Sequence, residues 1–196
     1  AIGRHLFPAT SPAMTSGGRF FYRPLESGLW EVDRAGQALV ERVPCTHPLF
    51  RASHPDSVAC QEDTVVFAGR NGQLLLLNPS HELWRLDPGS GTPVLVVKGT
   101  LPELALTDEA GFNRYAPGGY RVYVDPRDRV WLLFRWGEND PGDTSYLYLA
   151  DPARGDGWSF VRGDLPRNLL IFGDGPGPLL TGGSPEDGLL VFRVEG

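Results

Sequence analysis

Four histidines, His5, His47, His54 and His81, and two cysteines, Cys45 and Cys60, offer the widest chemistry in this chain. No two histidines have the spacing of a metal-binding pair, and neither cysteine sits in a C-x-x-C motif, so no zinc site is expected. No Ser, His, Asp order contains a recognisable nucleophile elbow. Glu138, Asn139, Asp140 and Asp143 gather oxygen ligands, but calcium takes about 6–8 oxygens and these residues match neither the EF-hand nor the nonapeptide spacing. The glycine-rich Gly173-Asp174-Gly175-Pro176-Gly177 precedes no helix, which argues against a phosphate cradle. Two Arg-Gly-Asp triplets, 154–156 and 162–164, read as turns, because Gly-Asp is a common turn pair. The expectation is a non-catalytic chain with no metal and no cofactor.

The two cysteines leave two readings open. A Cys45–Cys60 disulfide would close a loop of about 15 residues and contribute about 3 kcal/mol in the chain-entropy model. The other reading is a pair of small buried thiols. The net charge of −6 gives no electrostatic basis for binding nucleic acid or an anionic membrane. No apolar run approaches the roughly 20 residues that span a bilayer. The sequence opens at Ala1 without methionine, and an extracellular or periplasmic location is the expectation attached to that.

Functional side chains need elements to hold them, and the elements here are short strands. Four stretches carry one pattern of aliphatic, aromatic, variable, apolar, acid: Leu29 to Asp33, Leu83 to Asp87, Leu147 to Asp151 and Val191 to Glu195. Their acids fall 54, 64 and 44 residues apart, a spacing typical of repeat architectures. Glu82 to Leu86 alternates with period two, Asp87-Pro88-Gly89-Ser90-Gly91 is a turn, and Thr92 to Val97 is β-branched, so the unit is a hairpin. Two further strands precede each hairpin. Unit one (about 11–43) has an opening strand, Arg19 to Arg23, Leu29 to Val32 and Ala38 to Val43. Unit two (about 57–98) opens at Val58 to Cys60, continues at Thr64 to Ala68 and is extended by Leu74 to Leu77. Unit three (about 119–163) has Tyr120 to Val124 and Val130 to Trp136. Unit four (about 167–196) has Leu169 to Phe172 and Pro178 to Thr181 and lacks an outer strand. Thr107-Asp108-Glu109 is the one stretch read as a helical turn.

Four antiparallel strands per unit describe the blade of a β-propeller. The expectation is an all-β chain: one domain, residues 1–196, forming a single four-bladed β-propeller closed by the N-terminal strand Ile2 to Phe7. A β-sandwich and a fragment of a larger propeller are the alternatives. Glu82-Leu83-Trp84-Arg85-Leu86-Asp87, followed by Gly91-Thr92-Pro93-Val94-Leu95-Val96, resembles the ELWxxDGTxxGTxLV repeats of bacterial surface propellers. It also resembles the WD40-like repeats of periplasmic TolB-type proteins. The chain length is similar to that of the four-bladed hemopexin domain. These resemblances imply a propeller fold.

The recurring acids and aromatics read as turn formers and packing residues. Function is then expected on loops. First-to-second and third-to-fourth turns share one face and are short, whereas the long connections share the other. Those are Pro44 to Ser57, Arg70 to His81, Thr100 to Gly119 and Gly137 to Ser145. They carry His47, Arg51, His54, His81, Arg114, Tyr115, Glu138 and Asp140, a mixture suited to polar recognition with an aromatic anchor. The expected role is a binding or assembly module for a protein partner or for copies of itself. A carbohydrate-binding or glycan-hydrolysing domain is the alternative, with Trp136 or Tyr115 as a stacking platform.

Overall fold

The computed structural model describes residues 12–24, 27–32, 38–50, 64–78, 80–87, 91–99, 101–102, 120–135, 144–166, 169–184 and 188–195. The chain divides into two compact units, residues 1–99 and 100–196. Both are all-β. The one helical element among the described residues is a 3-10 turn at Pro48–Phe50, inside a connection that sequence reading left as loop. Val58 to Cys60, Thr107 to Glu109 and the proposed closing strand Ile2 to Phe7 lie outside the described residues.

The described residues form four antiparallel meander sheets. Sheet one runs β1 (Ala13–Met14), β2 (Phe20–Tyr22), β3 (Leu29–Val32) and β4 (Leu39–Val43). Sheet two runs β5 (Val65–Ala68), β6 (Leu74–Leu77), β7 (Leu83–Leu86) and β8 (Pro93–Val97). Sheet three runs β9 (Tyr120–Val124), β10 (Val130–Arg135), β11 (Thr144–Ala150) and β12 (Ser159–Pro166). Sheet four has three strands, β13 (Leu170–Phe172), β14 (Leu179–Ser184) and β15 (Gly188–Arg193).

The strand order of unit two differs from the sequence reading. Leu74–Leu77 is the second strand of its sheet, paired with β5 on one side and β7 on the other. Four consecutive leucines carry no alternation, because a central strand is covered on both faces, and all four are buried here. What reads as one long loop from Arg70 to His81 is therefore two tight turns flanking a strand. A second departure is Arg162-Gly163-Asp164, which lies within β12 and is not a turn. Arg154-Gly155-Asp156 does belong to a turn: the amides of Arg154 and Gly155 donate to the Asp151 carbonyl, and Gly155 has φ 68°.

The hairpins of the first three sheets share more than strand order. Leu29 pairs with Val43 and Trp30 with Glu41, leaving Arg42 as a bulge. Leu83 pairs with Val97 and Trp84 with Leu95, leaving Val96. Leu147 pairs with Arg162 and Tyr148 with Phe160, leaving Val161. Each bulge falls between the leucine and the aromatic, adding a local bend to an outer strand.

Alternation along a strand gives every sheet two faces. One may be named the leucine face, after Leu29, Leu83 and Leu147, and the other the aromatic face, after Trp30, Trp84, Tyr148 and Phe192. Within residues 1–99, Ala13, Phe21, Leu29 and Val43 on the leucine face of sheet one cluster with Val66, Leu74, Leu76, Trp84 and Leu86 on the aromatic face of sheet two. Within residues 100–196, Tyr123, Trp131, Leu133 and Leu147 on the leucine face of sheet three cluster with Ile171, Leu180 and Phe192 on the aromatic face of sheet four. The same joint is made once in each unit. Each large apolar side chain taken fully out of water there contributes about 1.5–3 kcal/mol.

Close backbone approach fixes the ends of the strands. A methyl group on Gly28 would overlap the Val43 carbonyl oxygen, and one on Gly99 the Ser80 carbonyl oxygen. Backbone cannot swing aside as a side chain can. Gly28→Ala and Gly99→Ala are therefore expected to cost about 1–3 kcal/mol each. Gly157→Ala meets nothing within 4 Å and should be neutral or slightly stabilising through the unfolded state. Denaturant melts of the three variants compare them directly, and equal midpoints would contradict the close approach.

Candidate functional site

The described part of the long-connection end centres on sheet two. The 3-10 turn at Pro48–Phe50 brings His47 down beside β7, and the turn between β6 and β7 carries Asn78, His81 and Glu82. Asn78 is the fastener. Its side chain is buried; Oδ1 accepts from the Glu82 amide at 2.9 Å, while Nδ2 donates to the Leu49 carbonyl at 3.3 Å and to Glu82 Oε2 at 2.8 Å. One amide side chain thus closes its own turn and ties the 3-10 turn to the sheet. Asn suits the position because its short side chain carries both donor and acceptor.

His47 and Trp84 form the aromatic part. Their rings meet edge to face, with centroids 5.4 Å apart and planes at 81°. His47 Nδ1 accepts the Leu49 amide at 3.1 Å, so the neutral ring carries its proton on Nε2. Burial lowers the pKa of His47 and favours that neutral form. Trp84 Nε1 donates to Glu82 Oε2 at 3.2 Å. Arg23 lies under the same segment, its guanidinium 4.9 Å from the Phe50 ring centroid. Cys45, two residues before His47, is disulfide-bonded. Cys60 is the chain's only other cysteine, which decides between the two readings of the thiols in favour of the bond.

Of the residues expected at the site, His47 and His81 are described, and both belong to this sheet end. His81 is not a surface recognition group. It is 1% exposed and takes the left-handed φ of 60° required by its turn, its amide donating to the Asn78 carbonyl at 2.9 Å. Arg51, His54, Arg114, Tyr115, Glu138 and Asp140 lie outside the described residues, as do Trp136 and Asp143. Sequence analysis passes over Asn78 and reads Trp84 as a packing residue. The bond from the Glu82 amide to Asn78 Oδ1 spans four residues, beyond the two-residue reach of an Asx turn, so no local motif announces it.

Two other charged groups in the described sheets serve structure. Glu31, buried on β3, accepts from Arg19 through both oxygens at 2.5 Å and from Arg42 Nε at 2.6 Å. Asp125 closes the β9–β10 turn, taking the amides of Arg127 and Arg129 on Oδ1 and Arg129 Nε with Trp131 Nε1 on Oδ2. Among the described residues no group of three or more His, Cys, Asp or Glu is placed to hold a metal ion.

No family model matches the chain, and no curated protein matches it. Among solved structures it is similar to an auxiliary nutrient binding protein from Bacteroides ovatus, with 12% sequence identity and a TM-score of 0.48 over 88% of this chain and 45% of that one. The chain thus spans less than half the length of that protein. A likeness at this level carries neither fold nor function over to the chain.

The buried ionisable groups make stability depend on pH in two windows. Burial pushes His81 down from the ordinary 6.5 to about 4. The unfolded chain therefore takes up a proton at higher pH than the folded one, and the advantage of the folded state falls as pH drops from 6.5 to about 4. The Arg19 hydrogen bond, opposed by burial and aided by Arg42, holds Glu31 below the usual carboxylate 4.5. Its contribution is full above 4.5 and is lost as pH falls through the lower folded value. His81→Asn, which tolerates the left-handed backbone, should flatten the upper window, and Glu31→Gln the lower one. Urea titrations from pH 7 to pH 3 separate the two, and a variant that leaves its window unchanged refutes that assignment.

Proposed function

We propose that the protein is a non-catalytic binding or assembly module that recognises a protein partner through the sheet ends bearing its long connections. The observation that carries this is the convergence of the Cys45 to Phe50 connection and the β6–β7 turn on Trp84. Polar groups there are spent on holding the backbone: Asn78 bonds three groups, and Glu82 accepts from two. A preformed rim of this kind lowers the ordering cost of association. His47 and Trp84 remain half-buried, a hydrogen-bonding aromatic pair at the rim.

The four meander sheets fit the blades of a β-propeller. Support comes from the consecutive strand order, from the shared bulge of three hairpins and from the same face-on-face joint in each unit. The disulfide at Cys45 supports an oxidising compartment, extracellular or periplasmic, where such bonds persist.

Native mass spectrometry of material purified from its source identifies a stable partner directly. Against that partner, Arg51→Ala, Arg114→Ala and Tyr115→Ala are expected to weaken binding about tenfold or more, as loss of an anchor costs above about 1.4 kcal/mol. Melting temperatures should stay within a degree or two. Arg127→Ala, in the β9–β10 turn, should leave affinity unchanged. If Arg127→Ala abolishes binding and the long-connection set does not, the recognition face is the opposite one.

A further inference from the structure

We infer that Asn71 is a site of spontaneous covalent modification: attack by the Gly72 backbone nitrogen converts its side-chain amide to a carboxylate, leaving aspartyl and iso-aspartyl chains.

The sequence supplies the pair and the fold leaves it open. Asn71-Gly72 is the chain's one Asn-Gly step. It lies at the tip of the hairpin between β5 and β6, where Asn71 is exposed. The Gly72 amide donates to the Gly69 carbonyl at 3.3 Å, and the Gly69 amide donates to the Gln73 carbonyl at 2.8 Å. Gly72 has φ 81°, the left-handed residue that closes such a turn.

Three features of the turn favour the attack. The Gln73 amide donates to Asn71 Oδ1 at 3.2 Å, folding the side chain back over its own backbone. The ring closed by that bond contains both reacting atoms, Asn71 Cγ and Gly72 N. The same bond puts a donor on the oxygen that gains negative charge as the nitrogen attacks. Glycine, without a Cβ, leaves its nitrogen unshielded.

The chemistry needs only base and water. The Gly72 nitrogen gives its proton to hydroxide and bonds to Asn71 Cγ. The bond from Cγ to the side-chain nitrogen breaks, ammonia leaves, and a five-membered imide remains. Water adding at Cγ opens the imide to an ordinary aspartyl chain. Water adding at the main-chain carbonyl leaves the chain running through Cγ, the iso-aspartyl form. Asn78, the other asparagine among the described residues, is buried and precedes Pro79, whose nitrogen carries no hydrogen to lose.

The two products differ in what they do to the sheet. An aspartyl side chain keeps the backbone and still accepts the Gln73 amide. The iso-aspartyl form inserts a methylene into the turn that joins β5 to β6. There is little room to absorb it, since a Cβ on Gly72 would already stand 3.0 Å from Ser16 Oγ in the β1–β2 turn.

The test is to hold the folded chain at mildly alkaline pH and map its peptides by mass spectrometry. A more acidic species should accumulate with release of ammonia. The Asn71 peptide should split into two isomers, each with the mass change of an amide replaced by an acid, while Asn78 stays intact. Asn71→Gln, which would need a six-membered ring, should not form that species. Asn71→Asp should melt with the fresh protein, and chain enriched in the iso-aspartyl form should melt a few degrees lower. An Asn71 that survives in the folded chain while urea-unfolded chain loses it shows that the turn protects the residue and overturns the inference. An acidic species whose change maps to another asparagine, with Asn71 intact, overturns it equally. An iso-aspartyl chain that melts with the fresh protein refutes the effect on the sheet.

Discussion

A strand in the middle of a meander has two faces, and when both are apolar both must be covered. That constraint organises this protein. Leu74 to Leu77 on β6 is its plainest expression, four leucines with no polar face at all. A sheet with two apolar faces cannot be stable alone, since a solvated face forfeits the burial that offsets chain entropy. Within each unit, stacking one sheet on the next covers the two faces that meet, sheet one on sheet two and sheet three on sheet four. Leucine faces meet aromatic faces because the strand pairing is the same in each sheet, so side chains of matching volume return at matching positions. The bulge between leucine and aromatic bends each outer strand locally, without disturbing the inner rows.

Polar chemistry in the protein is arranged around that packing. Among the described residues the buried carboxylates Glu31 and Asp125 and the buried amide side chain of Asn78 are each multiply bonded. Asp125 accepts four hydrogen bonds within one hairpin. Glu31 accepts from two arginines, and Arg19 in turn lies 5.2 Å from the centroid of the Phe21 ring. Breaking such a pair costs more than the pair contributes, because it strands a charge in an apolar place. The aromatic of each hairpin is handled similarly. Trp30 donates to Ser27 Oγ, Trp84 to Glu82 Oε2, and Tyr148 to the Pro102 carbonyl. One position therefore buries ring area and uses its polar edge to pin a neighbouring segment.

Much of this was legible in the chain. Period-two alternation and turn chemistry located most of the strands, including the weak one at Leu179, because each is short and bounded by glycine, proline or aspartate. The phasing of unit two was not legible. Leu74–Leu77 has no alternation, and a continuous apolar run states burial without stating which neighbours provide it. Arg162-Gly163-Asp164 misled for the converse reason: its residues favour a turn, but they lie within β12, where Arg162 pairs with Leu147 and Leu165 with Ser145 on either side of an irregularity at Gly163 and Asp164. At the candidate site the sequence pointed to His47 and His81 as residues on connections. It did not distinguish a half-buried ring against Trp84 from a buried one inside a left-handed turn. That difference arises from Asn78, whose side chain reaches from position 78 to the carbonyl of Leu49, a contact with no local signature.

The same comparison explains why Phe192 breaks the pattern of the other three aromatics. Phenylalanine has no polar edge, so it cannot pin a segment as Trp30, Trp84 and Tyr148 do. It is instead packed with Ile171, Leu180 and Val194 against the leucine face of sheet three. Sheet four is thus anchored through one face and through Tyr123 and Arg129, which donate to the Gly175 and Pro176 carbonyls at 2.7 Å. Those bonds fix the β13–β14 turn, while Leu170, Phe172, Leu189 and Val191 on the other face stay exposed.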